Sequence, residues 1–296
     1  MSREDRDKGV GAGKGAPPDL TLWPACVRSH PLPQQIAAAA DAGYASIAVN
    51  SATYLAAREA GQTGAQIARL AADSGVRIDW VDAVTGWLPV RYPPGNPELR
   101  GFLDHHVDIA FEMAETLGAR SLLAIGSFDR DALSFDELVD HFGRLCDRAA
   151  GAGLRVGLEF IPFWGIPTLG AAMEIVETAG APNGGLVLDT WHFFRSDSDW
   201  TALKALPPDR LLAVQLADGA QSPVEAGLLE DCLQHRRLPG EGAFPLGDLL
   251  DQLGRMGVRD YGPEVFSAEL DECSAREAAH LCAAACRAVQ AQDAAT

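Results

Sequence analysis

From residue 20 onward the chain alternates short apolar runs with longer stretches in which apolar residues recur every three to four positions. Short runs bounded by Gly, Pro and polar residues predict strands, and the longer amphipathic stretches predict helices. Strands are predicted over 20–25, 46–49, 77–81, 121–125, 155–160, 185–189, 211–216 and 261–266. Helices are predicted over 32–42, 64–74, 97–117, 134–152, 168–179, 200–206, 246–256 and 274–290. Several strands follow the same punctuation, a glycine ending the preceding helix, at Gly43, Gly75, Gly118, Gly153 and Gly257. Glycine there accepts the left-handed backbone that stops a helix.

Strands alternating with helices predict an α/β fold with a parallel sheet. An open doubly wound sheet needs a switch point and two edge strands, so eight such units point to a closed (β/α)8 TIM barrel. No linker divides the rest of the chain, and residues 20–296 read as a single barrel domain. Residues 1–19 are charged, then rich in Gly and Pro, and are expected to form a disordered N-terminal tail. Its GAGKG lacks the preceding strand and the following Ser/Thr of a phosphate loop. The polar stretch 218–242 is long for a connection and is expected to be an active-site loop.

Composition narrows the function classes. A formal net charge of −17 opposes binding to a phosphate backbone, and no basic cluster is denser than His235, Arg236 and Arg237, so no nucleic-acid partner is expected. No apolar run approaches the length of a membrane span, so no membrane partner is expected either. The six cysteines form no paired framework, which fits a reducing cytoplasm. Cys282 and Cys286 share a helix face without a second pair to complete a zinc set. A homo-oligomer is compatible with all of this.

In such barrels the active site is built where strands end. The fifth strand ends at Glu159, the sixth at Asp189, the seventh reaches Gln215, and the eighth carries Glu264. Each is a lone polar group beside Val, Leu or Phe. Three carboxylates converging on one barrel mouth repel one another unless protonated or neutralised by a cation. Four oxygen donors suit Mg²⁺, Mn²⁺ or Co²⁺, and the lack of His or Cys among them makes Zn²⁺ less favoured.

With GLEFIPF, GLVLDTWHFFR, VQLAD, RRLPGEG and GPEVFS, residues 20–290 resemble the sugar phosphate isomerase/epimerase superfamily, the xylose-isomerase-like TIM barrels. The resemblance implies that Glu159, Asp189 and Glu264 are metal ligands, with Gln215 at a position that is commonly His. Gln215 and the Asp189-x-x-His192 spacing are similar to the 3-dehydroshikimate dehydratases, whereas the loop after the fifth strand, 160–167, lacks the histidine associated with them. The resemblance implies a metal-dependent isomerase/epimerase acting through an enolate on a small polyhydroxylated or keto sugar-like substrate. Dehydratase chemistry is the alternative.

His192 is expected in the loop above the metal, where a neutral imidazole acts as base or holds a ligand carboxylate in place. Glu159 and Glu264 are the further proton-transfer residues. Arg236, with Arg195 and Arg237 behind it, is expected to anchor an anionic substrate group, since a guanidinium binds carboxylate or phosphate through paired hydrogen bonds. Trp164 is expected to wall the pocket, and Trp23, Trp80, Trp87 and Phe163 lie at or near strand ends. Glu241 in the PGEG turn is left out of the ligand set, and His105 and His106 are expected on the surface of the third helix. A nuclease of the AP-endonuclease type needs more His ligands and a basic face; a catalytically silent barrel needs only the fold.

Overall fold

All eight expected strands form, and they lie side by side in chain order in one parallel sheet. The computed structural model describes residues 19–89, 99–258 and 260–293, so most of the expected tail, with its GAGKG, lies outside the described residues. The chain runs β1 (Thr21–Leu22), α1 (Leu32–Asp41), β2 (Ser46–Val49), α2 (Ser51–Glu59), α3 (Gly64–Asp73), β3 (Arg77–Val84) and α4 (Arg100–Leu103). It continues through α5 (Val107–Leu117), β4 (Ser121–Ile125), α6 (Phe135–Gly151), β5 (Arg155–Glu159), α7 (Leu169–Ala179), β6 (Gly184–Asp189), α8 (Thr190–Arg195) and α9 (Trp200–Ala205). The last elements are β7 (Leu211–Leu216), α10 (Leu228–Gln234), α11 (Leu246–Arg255), β8 (Tyr261–Pro263), α12 (Ala268–Asp271) and α13 (Ala275–Asp293). A parallel bridge from Leu20 to Tyr261 brings β8 back to β1.

The strands read as continuous apolar runs because both faces are covered, the inner by the lumen and the outer by helices. The lumen holds Trp23 and Trp80, both fully buried, with ring centroids 5.4 Å apart. Two glycines make room for this packing. A Cβ at Gly157 would lie 2.6 Å from Val187 and 3.3 Å from the Trp80 ring, and one at Gly262 would lie 1.9 Å from the Thr21 carbonyl oxygen. Outside the sheet, α1, α11 and α13 pack together, and the Tyr44 hydroxyl donates to the Ala279 carbonyl at 3.1 Å.

Several expected bounds change. The helix expected over 97–117 is broken: α4 stops at Leu103, and His106 takes extended backbone and accepts the Asp108 N–H to start α5. His105 and His106 therefore lie in the joint between two helices, not within one; His105 pairs with the Gly101 carbonyl. β1 and β8 are shorter than expected, and β3 is longer, running on through Asp82. Four helices were not anticipated, among them the short α12 before the last helix. α2 is started by Asn50, whose side chain accepts from Ala52 and Thr53; α8 replaces the loop expected after Asp189; α10 lies within the long 218–242 connection. All six cysteines are free, and among the described residues no helix is long and apolar enough to cross a membrane.

Candidate active site

Glu159 and Asp189 are the last residues of β5 and β6, and Gln215 is the penultimate residue of β7, directly beside Asp189 in register. Glu264 follows the last residue of β8, and its N–H donates to the Leu216 carbonyl, which carries the sheet pattern one step further. The barrel thus brings all four to its carboxyl-terminal mouth. None is more than 5 % exposed.

His192 joins them through α8. Asp189 caps that helix, its Oδ1 accepting the His192 N–H at 3.0 Å. One turn of helix then folds the imidazole back over the carboxylates, with Nε2 3.6 Å from Glu159 Oε1. One ligand atom each from Glu159, Asp189 and His192 lie within 4.8 Å of one another. His192 thus adds a nitrogen donor to a set expected to hold oxygen alone.

Arg236 is not at the substrate side of this cluster. It is 2 % exposed and does not line the cavity. Its Nη1 donates to Asp189 Oδ2 at 2.5 Å and to the Glu264 carbonyl at 3.1 Å; its Nη2 lies 3.3 Å from His192 Nε2. The guanidinium also lies over the rings of Trp191 and Phe266, 5.2 and 4.9 Å from their centroids. Stacking and the planar fork together hold the charge where water cannot. Arg195 also lies off the cavity, over Trp191 and Phe244, and donates to the Ala220 carbonyl at 2.9 Å. Exposed Arg237 is bonded to the Glu241 carbonyl in the turn. Arg236 and Arg195 are therefore engaged within the protein, and Arg237 lies exposed at the turn.

The mouth opens into a cavity of about 310 Å³ lined by Glu159, His192, Glu264, Phe163 and Trp164 among others. Trp23, Trp80 and Trp87 lie beneath or outside it, and the Trp87 indole is bonded to the Ile125 carbonyl. The 218–242 connection contributes Leu229, Cys232, Leu233 and Gln234. One acidic residue was missed: Asp82, 5 % exposed, on the extended end of β3 and facing the same cavity. The rule that found Glu159 also finds Asp82 once β3 is carried past Val81. Asn50, at the end of β2, was likewise passed over.

Electrostatics sets this site apart. Burial, then repulsion from Asp189, pushes Asp82 up to about 7. Burial and neighbouring carboxylates raise Glu159 and Glu264 well above the usual range. Asp189 alone is lowered: Arg236 and His192 overcome its burial. Burial brings His192 down to about 3, so its imidazole is neutral. One guanidinium, that of Arg236, acts on Glu159, Asp189 and Glu264, and none acts on Asp82. Both amide atoms of Gln215, Glu159 Oε1 and His192 Nδ1 are buried without a hydrogen-bond partner. Buried carboxyls in excess of cations, with an idle amide oxygen beside them, suit a divalent cation.

Comparison with known proteins agrees with this architecture. Residues 36–284 match the family described as the xylose isomerase-like TIM barrel. A 3-dehydroshikimate dehydratase of Pseudomonas putida is 29 % identical over 250 residues, 81 % of this chain and 36 % of that protein. An inosose isomerase of Bacillus subtilis is 31 % identical over 174 residues, 56 % of this chain and 61 % of that protein. The chain therefore spans less than two thirds of the length of either relative. The solved structure of an IolI protein with a bound zinc atom superimposes with a TM-score of 0.79 at 22 % identity, covering 93 % of this chain and 98 % of that one. The chain belongs to the xylose isomerase-like TIM barrel family.

Proposed function

We propose that the chain is a divalent-metal-dependent isomerase/epimerase that acts through an enolate of a small hydroxy-carbonyl substrate. The observation that carries the reading is the excess of buried acid at the barrel mouth, with Gln215 holding an idle amide beside Asp189. Glu159 and Asp189 would hold the ion, with Gln215 beside Asp189 in register; Glu264 stands at the same mouth but outside the close group that Glu159, Asp189 and His192 form. When bound, Mn²⁺, Mg²⁺ or Co²⁺ polarises a substrate carbonyl and hydroxyl and acidifies the carbon between them.

Proton abstraction falls to His192, which is neutral and lines the cavity. Glu159 Oε1, 3.6 Å from Nε2, lies close enough to exchange the proton with it after modest closure. Glu264 stands three strands further around the sheet and approaches the substrate from another side, as transfer on two faces requires. Arg236 acts through Asp189 and His192, fixing their orientation. Trp164 walls the cavity against water.

One observation favours a second reading, dehydration of the 3-dehydroshikimate type. Gln215 rather than His lies beside Asp189, with His192 three residues on, and the dehydratase relative matches most of the barrel. Both outcomes follow from one enolate: reprotonation isomerises, and expulsion of a β-hydroxyl dehydrates. Calorimetric titration with Mn²⁺, followed by C–H deuterium exchange on ketoses, inososes and 3-dehydroshikimate, separates them. Exchange without loss of water supports the isomerase; release of water from 3-dehydroshikimate alone supports the dehydratase. Neither metal binding nor exchange would leave a silent barrel.

A further inference from the structure

The cavity has two chemically unlike halves. Its floor is acidic, formed by Asp82, Glu159, His192 and Glu264. Its walls are hydrocarbon and aromatic: Phe102 and Leu103 on α4, Phe163 and Trp164 after β5, Leu229 and Leu233 on α10. Phe163 meets the Trp164 ring edge-on at 5.1 Å and the His192 ring at 6.1 Å, so an aromatic wall rises directly from the proton-transfer group.

The polar groups set into those walls are largely engaged with the protein. Asn50 Oδ1 accepts from Ala52 and Thr53, at 2.7 and 3.2 Å, and Thr53 Oγ1 donates to the Asn50 carbonyl at 3.0 Å. The Gln35 amide nitrogen donates to the Val27 and His30 carbonyls, leaving only its oxygen idle. Cys232 Sγ accepts from Arg236. Arg28, the cation at the cavity edge, is held by both oxygens of Asp271. Among the described residues Arg28 is the one cation lining the cavity and its charge is paired with Asp271, while away from the acidic floor the Asn50 amide nitrogen, exposed Gln234 and Gln35 Oε1 remain for hydroxyls.

A polyol presents a hydroxyl on nearly every carbon. Each hydroxyl buried against hydrocarbon without a partner weakens binding by roughly tenfold or more. An alkyl or aryl body, in contrast, gains from every wall contact, and a flat ring packs well against aromatic edges. A dry cavity of about 150 Å³ accommodates a benzene ring, so about 310 Å³ holds roughly a dozen non-hydrogen atoms.

We infer that the substrate is an uncharged hydroxy ketone of about this size, with its oxygens gathered at the acidic floor and an alkyl or aryl body between the Phe163–Trp164 and Phe102–Leu229 walls. The polar end rests on the metal-dependent enolate reading above. The apolar body narrows the substrate types to the keto, oxygen-poor one.

The test compares two neutral hydroxy ketones that share an enolisable end, α-hydroxyacetophenone and D-erythrulose, by calorimetric titration into the full chain with and without Mn²⁺. The aryl ketone is expected to bind at least tenfold tighter. Phe102→Ala and Leu229→Ala, both at partly exposed positions that tolerate truncation, are each expected to weaken it about three- to tenfold and to leave D-erythrulose unchanged. Equal or tighter binding of D-erythrulose, binding of neither ligand, or variants that change nothing would overturn the inference. Mn²⁺ binding with a polyol preference sinks the apolar body and spares the enolate reading; aryl preference in a protein that binds no Mn²⁺ does the reverse.

Discussion

The two ends of the barrel handle buried charge in opposite ways. At the amino-terminal end each carboxylate has a partner. Asp79 is paired with Arg120 at 2.8 Å and Arg77 at 3.3 Å; Thr21, bonded to Ser46, donates to Asp260; Arg155 donates to Ser121. Even Asp260, which burial pushes up to about 6, has Arg155 and Arg120 pulling it back. At the mouth, Glu159, Asp189 and Glu264 share Arg236, and Asp82 feels burial and the Asp189 charge with no cation to offset them. The amino-terminal end is self-neutralised and stabilises the fold, whereas the mouth gathers more buried carboxyls than cations, and its excess acid holds either protons or an added cation. Strain of this kind persists where function needs it.

The contrast breaks most completely if the mouth loses its acid. A Glu159→Gln/Glu264→Gln double variant should retain the fold, lose the divalent metal in elemental analysis of protein purified without chelator, and lose exchange activity by at least ~10³-fold. Equal metal in wild type and variant would remove the distinction between the two ends.

Arg236→Ala should cost about 3–5 kcal/mol in urea denaturation, since it leaves Asp189 charged and buried. A loss below about 1 kcal/mol would show that the pair is not what fixes Asp189.

Asp82 sharpens the comparison through pH. Its folded value, about 7, lies above its unfolded value, so its contribution to stability is complete below about pH 4 and is lost as pH rises through 7. Metal-free protein should therefore weaken over that range. Asp82→Asn should flatten the slope, gaining up to about 4 kcal/mol at pH 8 in chelator and nothing at pH 4. An unchanged slope would count against Asp82 as a contributor.

The smallest effect belongs to the amino-terminal end. Asp79→Ala breaks pairs with two arginines that are more than half exposed, and should cost about 1 kcal/mol without altering metal content. A change in metal binding would mean that the two ends are coupled.

Much of the site was legible because one rule located it. In a barrel strand covered on both faces, a lone Glu, Asp or Gln at the carboxyl end has no structural reason to be there. Glu159, Asp189, Gln215 and Glu264 followed from it. Asp82 escapes because the expected strand ends at Val81, one residue before it and three before the end of β3, and periodicity locates strand ends less well than strand centres. α8 escaped because six residues are too few to show a helical period, although Asp189 is a good cap.

By itself the sequence determined the number and order of strands, the glycines that stop helices, and the acidic residues at the mouth, because each depends on neighbours a few positions away. Only the tertiary structure decided what Arg236 does. From the RRLPGEG run it reads as a free cation near the substrate; in the fold it is clamped between Trp191 and Phe266 and donates to Asp189, 47 residues earlier. The same holds for the cavity, whose walls come from α4, the β5–α7 connection and α10. Buried pairing and cavity polarity depend on which distant side chains close over a group, and no local pattern records that.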